Sequence, residues 1–74
     1  MKTIKNAEEL AEKLLAEADA TGIADWDTIA VMHNDDGTYA EGDNGDGADG
    51  LTRAAVKQVL IDDIMLRADY RSIQ

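Results

Sequence analysis

The chain contains no cysteine. Disulfides, thiolate zinc sites and thiol nucleophiles are therefore excluded, and a reducing compartment is the natural setting. No apolar run approaches the roughly 18 residues of a membrane-spanning helix. Phenylalanine is absent and Trp26 is the single tryptophan, so a core has few large rings to draw on. Cations are scarce: 7 Lys+Arg stand against 16 Asp+Glu, a formal net charge of −9. That balance disfavours nucleic acid, an anionic membrane surface and acidic substrates as direct partners. A basic protein surface, a divalent cation or a high-salt cytosol fits it better. Met1–Asn6 has no apolar stretch after its lysines and does not read as a secretory signal, so a cytoplasmic location is expected.

What remains is a chain of 74 residues, enough for a single domain spanning 1–74. At this size only about 60% of the unfolded surface is buried, and a core rarely supplies more than roughly 3–5 kcal/mol. The charge is uneven along it. Residues 1–7 carry +2, residues 8–49 carry −12 with Lys13 as their lone base, and residues 50–74 carry +1.

Asn6-Ala7-Glu8-Glu9 has the form of a helix N-cap followed by an acid, and Ala7, Leu10, Ala11, Leu14, Leu15 and Ala18 share one arc of a helical wheel. The pattern predicts a helix over 6–20, ended by Gly22. Asp25-Trp26-Asp27 reads as a short connection, with Trp26 as a core anchor. Thr28–His33 alternates like a strand, Asn34-Asp35-Asp36-Gly37 is a turn with Gly37 left-handed, and Thr38–Glu41 is the return strand. Two turn registers are open, and they place Tyr39 on opposite faces. Residues 42–50, rich in Asp and Gly, read as a flexible loop. Thr52 can cap a second helix over 52–70. The expected fold is a small α+β domain of order α-β-β-α, two helices packed on an antiparallel hairpin, with Met1–Ile4 as an optional edge strand.

Catalytic and metal readings find little support. No register of the 42–50 loop gives oxygen ligands at EF-hand positions 1, 3, 5 and 12 with Gly at 6. Gly45–Gly50 matches G-x-G-x-x-G in letters, but it follows a hairpin and holds two aspartates that would repel pyrophosphate. His33 is the single histidine, and its plain role is to pack on Tyr39 or face water. A hairpin this small leaves little room for a pocket. No enzyme, metal or cofactor is implied.

Two surfaces draw notice. Glu8 and Glu12 lie one helical turn apart, about 6 Å between Cβ atoms, a spacing similar to that of successive phosphates on one DNA strand. Asp19, Asp35, Asp36, Asp43, Asp46 and Asp49 could extend the row. The plain alternatives are a solvated acidic face, or halophilic adaptation given 11 Asp against 5 Glu. The second helix is apolar over an arc wider than one core face needs, with Val59, Ile61, Met65 and Leu66 left for an interface.

In its size, strong acidity, lack of cysteine and compact α/β build, the chain resembles the small phage-encoded inhibitors of bacterial defence, of the anti-CRISPR and anti-restriction type. That resemblance implies a cytoplasmic, non-enzymatic protein that occupies a basic nucleic-acid channel in a defence complex by charge mimicry. Two other readings stand beside it. One is a homodimeric or regulatory module acting through the second helix; the other is a small calcium-binding protein using residues 43–49.

Overall fold

The computed structural model describes residues 3–26, 29–42 and 49–73, with side chains over 7–66 of these. Helix α1 (Thr3–Thr21) leads into three strands, β1 (Ile23–Trp26), β2 (Ile29–His33) and β3 (Tyr39–Glu41), and the chain closes with helix α2 (Arg53–Ile73). The strands form one antiparallel sheet of order β1-β2-β3. The fold is thus a small α+β domain, with a third strand added to the expected hairpin.

The extra strand is Ile23-Ala24-Asp25-Trp26, expected to be part of a connection. It pairs with β2 through Ile23↔Met32, Ala24↔Val31, Asp25↔Ala30 and Trp26↔Ile29. Its alternation is real but lasts four residues and uses alanine and aspartate, both weak strand formers. Pairing, rather than propensity, makes it a strand. Thr3 and Ile4, expected as part of an optional edge strand over Met1–Ile4, are helical and open α1; Met1 and Lys2 lie outside the described residues. No helix breaker separates Thr3 from Asn6, and the helix continues through the expected cap.

α1 starts three residues earlier than expected and α2 ends three residues later, at Ile73, while the end of α1 and the start of α2 lie within one residue of their expected places. Gly22 takes φ 96° and donates its N–H to the Ala18 carbonyl at 2.7 Å. A left-handed residue here reverses the chain straight into β1. At the start of α2 the Thr52 hydroxyl accepts the Ala55 N–H at 3.2 Å.

The turn between β2 and β3 settles the register. Gly37 N–H donates to the Asn34 carbonyl at 3.1 Å, and Asn34 N–H to the Thr38 carbonyl at 2.8 Å. Asp36 Oδ1 accepts the Thr38 hydroxyl at 2.6 Å and its N–H at 3.0 Å, so this aspartate builds the turn. Gly37 is left-handed, as expected, with φ 89°. The result pairs His33 with Tyr39 and turns Tyr39 inward, where it is buried. His33 packs on it, with ring centroids 4.9 Å apart.

Both helices cover the same face of the sheet. Ala7, Ala11, Leu14, Leu15 and Ala18 of α1 meet Val56, Leu60 and Ile64 of α2 and Ala24, Ile29, Val31 and Tyr39 of the sheet in one core. Leu10, Trp26, Leu51, Ile61 and Met65 pack at its margin. Three alanines on the buried face of α1 keep that surface low where the large side chains of α2 and the sheet enter. Trp26 is half-buried against the core, consistent with its expected anchoring role.

The β3 edge is paired, and one carbonyl of the β1 edge is capped. Leu51 and Tyr39 exchange two backbone hydrogen bonds of 2.9 Å, which lays the returning chain beside β3. On the β1 side, the Thr21 hydroxyl lies 2.8 Å from the Ile23 carbonyl and 2.9 Å from the Glu17 carbonyl, sharing its proton between them. An edge carbonyl capped this way is a poorer template for a foreign strand.

Candidate functional site

Two surfaces can be built from the residues upward, one between the helices and one on the uncovered side of the sheet.

The helices run antiparallel, and their facing flanks carry opposite charge. Glu8 and Glu12 are four apart on α1, and Arg53 and Lys57 are four apart on α2. Arg53 Nη2 lies 2.9 Å from Glu12 Oε2 and 3.1 Å from Asp19 Oδ2. Lys57 Nζ lies 3.2 Å from Glu12 Oε1 and 3.8 Å from Glu8 Oε2. Charges therefore alternate along the seam as Asp19, Arg53, Glu12, Lys57, Glu8. The Tyr39 hydroxyl joins from the sheet and donates to Asp19 Oδ1 at 2.5 Å.

The electrostatics follow this geometry. The Tyr39 hydroxyl, aided by Arg53, holds the Asp19 carboxyl below the usual aspartate range. Arg53 and then Lys57 hold Glu12 below the usual glutamate range. The same contacts raise Arg53 and, through Asp19, Tyr39. The Thr38 hydroxyl and N–H lower Asp36.

Glu8, Glu12 and Asp19 do lie along one exposed flank of α1, as the sequence suggests. Each is already matched by a cation of the same chain. Asp36 is tied into its turn. Asp35 and Asp49 are exposed and have no ion pair among the described residues. Asp43 and Asp46 lie outside the described residues. Among the described residues no group of three or more His, Cys, Asp or Glu is placed to hold a metal ion.

On α2, Ile61 and Met65 lean on the core and Val59 is half-buried. Leu66, at 67% exposure, stands clear. Much of the wide apolar arc is thus absorbed by the two-layer core, because α2 packs against α1 as well as against β2 and β3.

The second surface is the side of the sheet facing away from the helices. By alternation it carries Ile23 and Asp25 from β1, Ala30 and Met32 from β2, and Ala40 from β3. Ile23 and Met32 are exposed and sit directly across from one another. The His33 N–H donates to the Gly22 carbonyl at 3.0 Å, so the next pair along, Ile23 with Met32, is the close, non-hydrogen-bonded kind.

Sequence reasoning missed Arg53 and Lys57 as partners of Glu8 and Glu12. The matching four-residue spacings were a visible signal, but only the antiparallel helix register joins them. Ile23 and Met32 gave no signal, since β1 itself was unexpected.

The charge divides with the architecture. The two helices contain eight acids and six bases, a balance of −2, and Lys2 adds +1. The segment between them, residues 22–52, contains eight acids and not one Lys or Arg, and so carries −8 of the net −9.

No described helix is long and apolar enough to cross a membrane. No protein-family model matches the chain, and no curated protein or solved structure matches it either.

Proposed function

We propose that this protein is a non-enzymatic inhibitor that binds the basic, nucleic-acid-binding surface of a bacterial defence complex, in the host cytoplasm, by offering acids in place of phosphates. The observation that supports this reading is the segment 22–52, with eight acids and no Lys or Arg. Like charge at this density in one segment destabilises a small domain through self-repulsion. A cationic partner relieves that repulsion on binding. The acids of the α1 flank contribute less than their spacing suggests, because Arg53 and Lys57 match them internally.

The test measures DNA binding by purified restriction and RNA-guided nuclease complexes with and without this protein. A susceptible complex should lose DNA binding, and added duplex DNA should restore it. Inhibition should fade between about 0.1 and 0.5 M salt as screening shortens from about 10 Å. A bound complex that keeps its full affinity for DNA would refute the reading.

A second reading, association of two copies through α2, is supported by Leu66 alone among the described side chains. Light scattering at tens of micromolar distinguishes it: a dimer that Leu66→Asp splits would favour it.

A further inference from the structure

We infer that the outer face of the sheet is a docking surface for a basic protein partner, with Ile23 and Met32 as its apolar centre. The inference rests on the partner-binding reading above and names the surface that carries it.

Among the described residues, both helices pack on the opposite face of the sheet and leave Ile23 and Met32 exposed on this one. Its relief comes from residue size. Ile23, 49% exposed, and Met32, 37% exposed, stand side by side. Ala30 precedes Met32 by two residues on the same strand and is partly exposed, and Ala40, the β3 partner of Met32, is small and buried, so both neighbours are low. Methionine beside a β-branched side chain gives a surface that is firm on one side and adaptable on the other. Desolvated apolar anchors ringed by polar groups are where protein interfaces concentrate their binding energy.

Charge selects the occupant. The single charged residue among those assigned to this face is Asp25, and it has no ion pair among the described residues. Asp35 lies exposed at the β2–β3 turn. No Lys or Arg occurs from Gly22 to Thr52 to neutralise either. A second copy would bring two such cation-free segments, each with eight acids, against each other. A partner with Lys or Arg around an apolar side chain meets complementary charge at the rim and apolar surface at the centre. Strand addition at β1 is the less suitable mode, since the Thr21 hydroxyl already caps the Ile23 carbonyl.

The experiment titrates the isotopically labelled protein with two peptides of equal length, one alternating lysine and leucine and one of lysine alone, and follows backbone amides by NMR. The alternating peptide should shift Ile23, Asp25, Ala30, Met32 and Ala40 and bind at least about tenfold more tightly than the lysine peptide. The double variant Ile23→Thr, Met32→Thr keeps strand-compatible side chains and should bring the two affinities together with little change in melting temperature. If the double variant does not fold, Asp25→Lys takes its place and should weaken both peptides. Equal affinities for the two peptides would overturn the inference, as would shifts confined to Glu9, Lys13 and Glu17. So would a dimer of the unmodified protein that the double variant dissolves, which would give the face to a second copy. Binding here by a protein that leaves every nuclease complex untouched would remove the inhibitor reading and keep this surface. Inhibition that survives the double variant would do the reverse.

Discussion

The helical layer and the segment that forms the sheet use their acids in opposite ways. Along the helix seam, Glu8, Glu12 and Asp19 alternate with Arg53 and Lys57, and Tyr39 reaches in from the sheet. Between the helices, eight acids are present with no Lys or Arg. The first arrangement helps position two helices; in the second, Asp36 is bonded into its turn and Glu41 is buried, while Asp25, Asp35 and Asp49 are exposed. A count of acids along the sequence does not distinguish the two, because the distinction lies in which cations the fold brings near.

The sharpest break in this comparison comes from the core the layers share. Leu60 is fully buried between α1 and the sheet, and Leu60→Ala should cost about 2–5 kcal/mol. That is comparable to the whole stability of a domain this small, so urea denaturation should find the variant largely unfolded at 25 °C. A loss below about 1 kcal/mol would mean that the seam, rather than the core, holds the layers together.

Arg53→Met tests the seam itself. It removes the cation that Glu12 and Asp19 share while keeping the apolar stem. Both acids are well exposed, so solvent screening limits the loss to about 1 kcal/mol. The pH dependence gives this prediction its sign. Glu12 and Asp19 titrate lower in the folded protein than in the unfolded chain. The stability they contribute is complete above the unfolded values near 4 and is lost as pH falls through the lower folded values. The stability gap between the native chain and Arg53→Met should therefore be constant from about pH 5 to 7 and narrow below about pH 4. A gap that widens in acid would reject the seam as drawn.

Tyr39→Phe removes the hydroxyl that links the sheet to Asp19 and keeps the ring against His33. About 0.5–1 kcal/mol should be lost in thermal denaturation. The smallest effect belongs to the sheet face: Asp25→Asn should change stability by no more than about 0.5 kcal/mol. If it cost as much as Arg53→Met, the sheet acids would be structural too, and the contrast between the two regions would collapse.

How much of this was legible beforehand depends on the range of the signal. The α1 core arc, the Gly22 and Gly37 conformations and the Thr52 cap are local, and the residues themselves specify them. β1 was not legible, because an Ile-Ala-Asp-Trp segment becomes a strand through its pairing with β2. The acids of the α1 flank were legible as a row but not as a paired row. Their cations lie 34 or more residues away in sequence for every pair among Arg53, Asp19, Glu12, Lys57 and Glu8. The uncovered sheet face followed β1 out of view, since a hairpin alone gives no Ile23 beside Met32.

The stretch without Lys or Arg also governs how the protein can be cut. Trypsin cleaves after those two residues, and between Lys13 and Arg53 the chain offers it none. Complete digestion should release every strand together in one acidic fragment running from Leu14 to Arg53. Partial digestion of the folded protein would sample the helices and leave the sheet silent. A protease that cuts beside acidic residues reverses this, and its cleavage pattern with and without a bound partner would read protection where trypsin sees nothing.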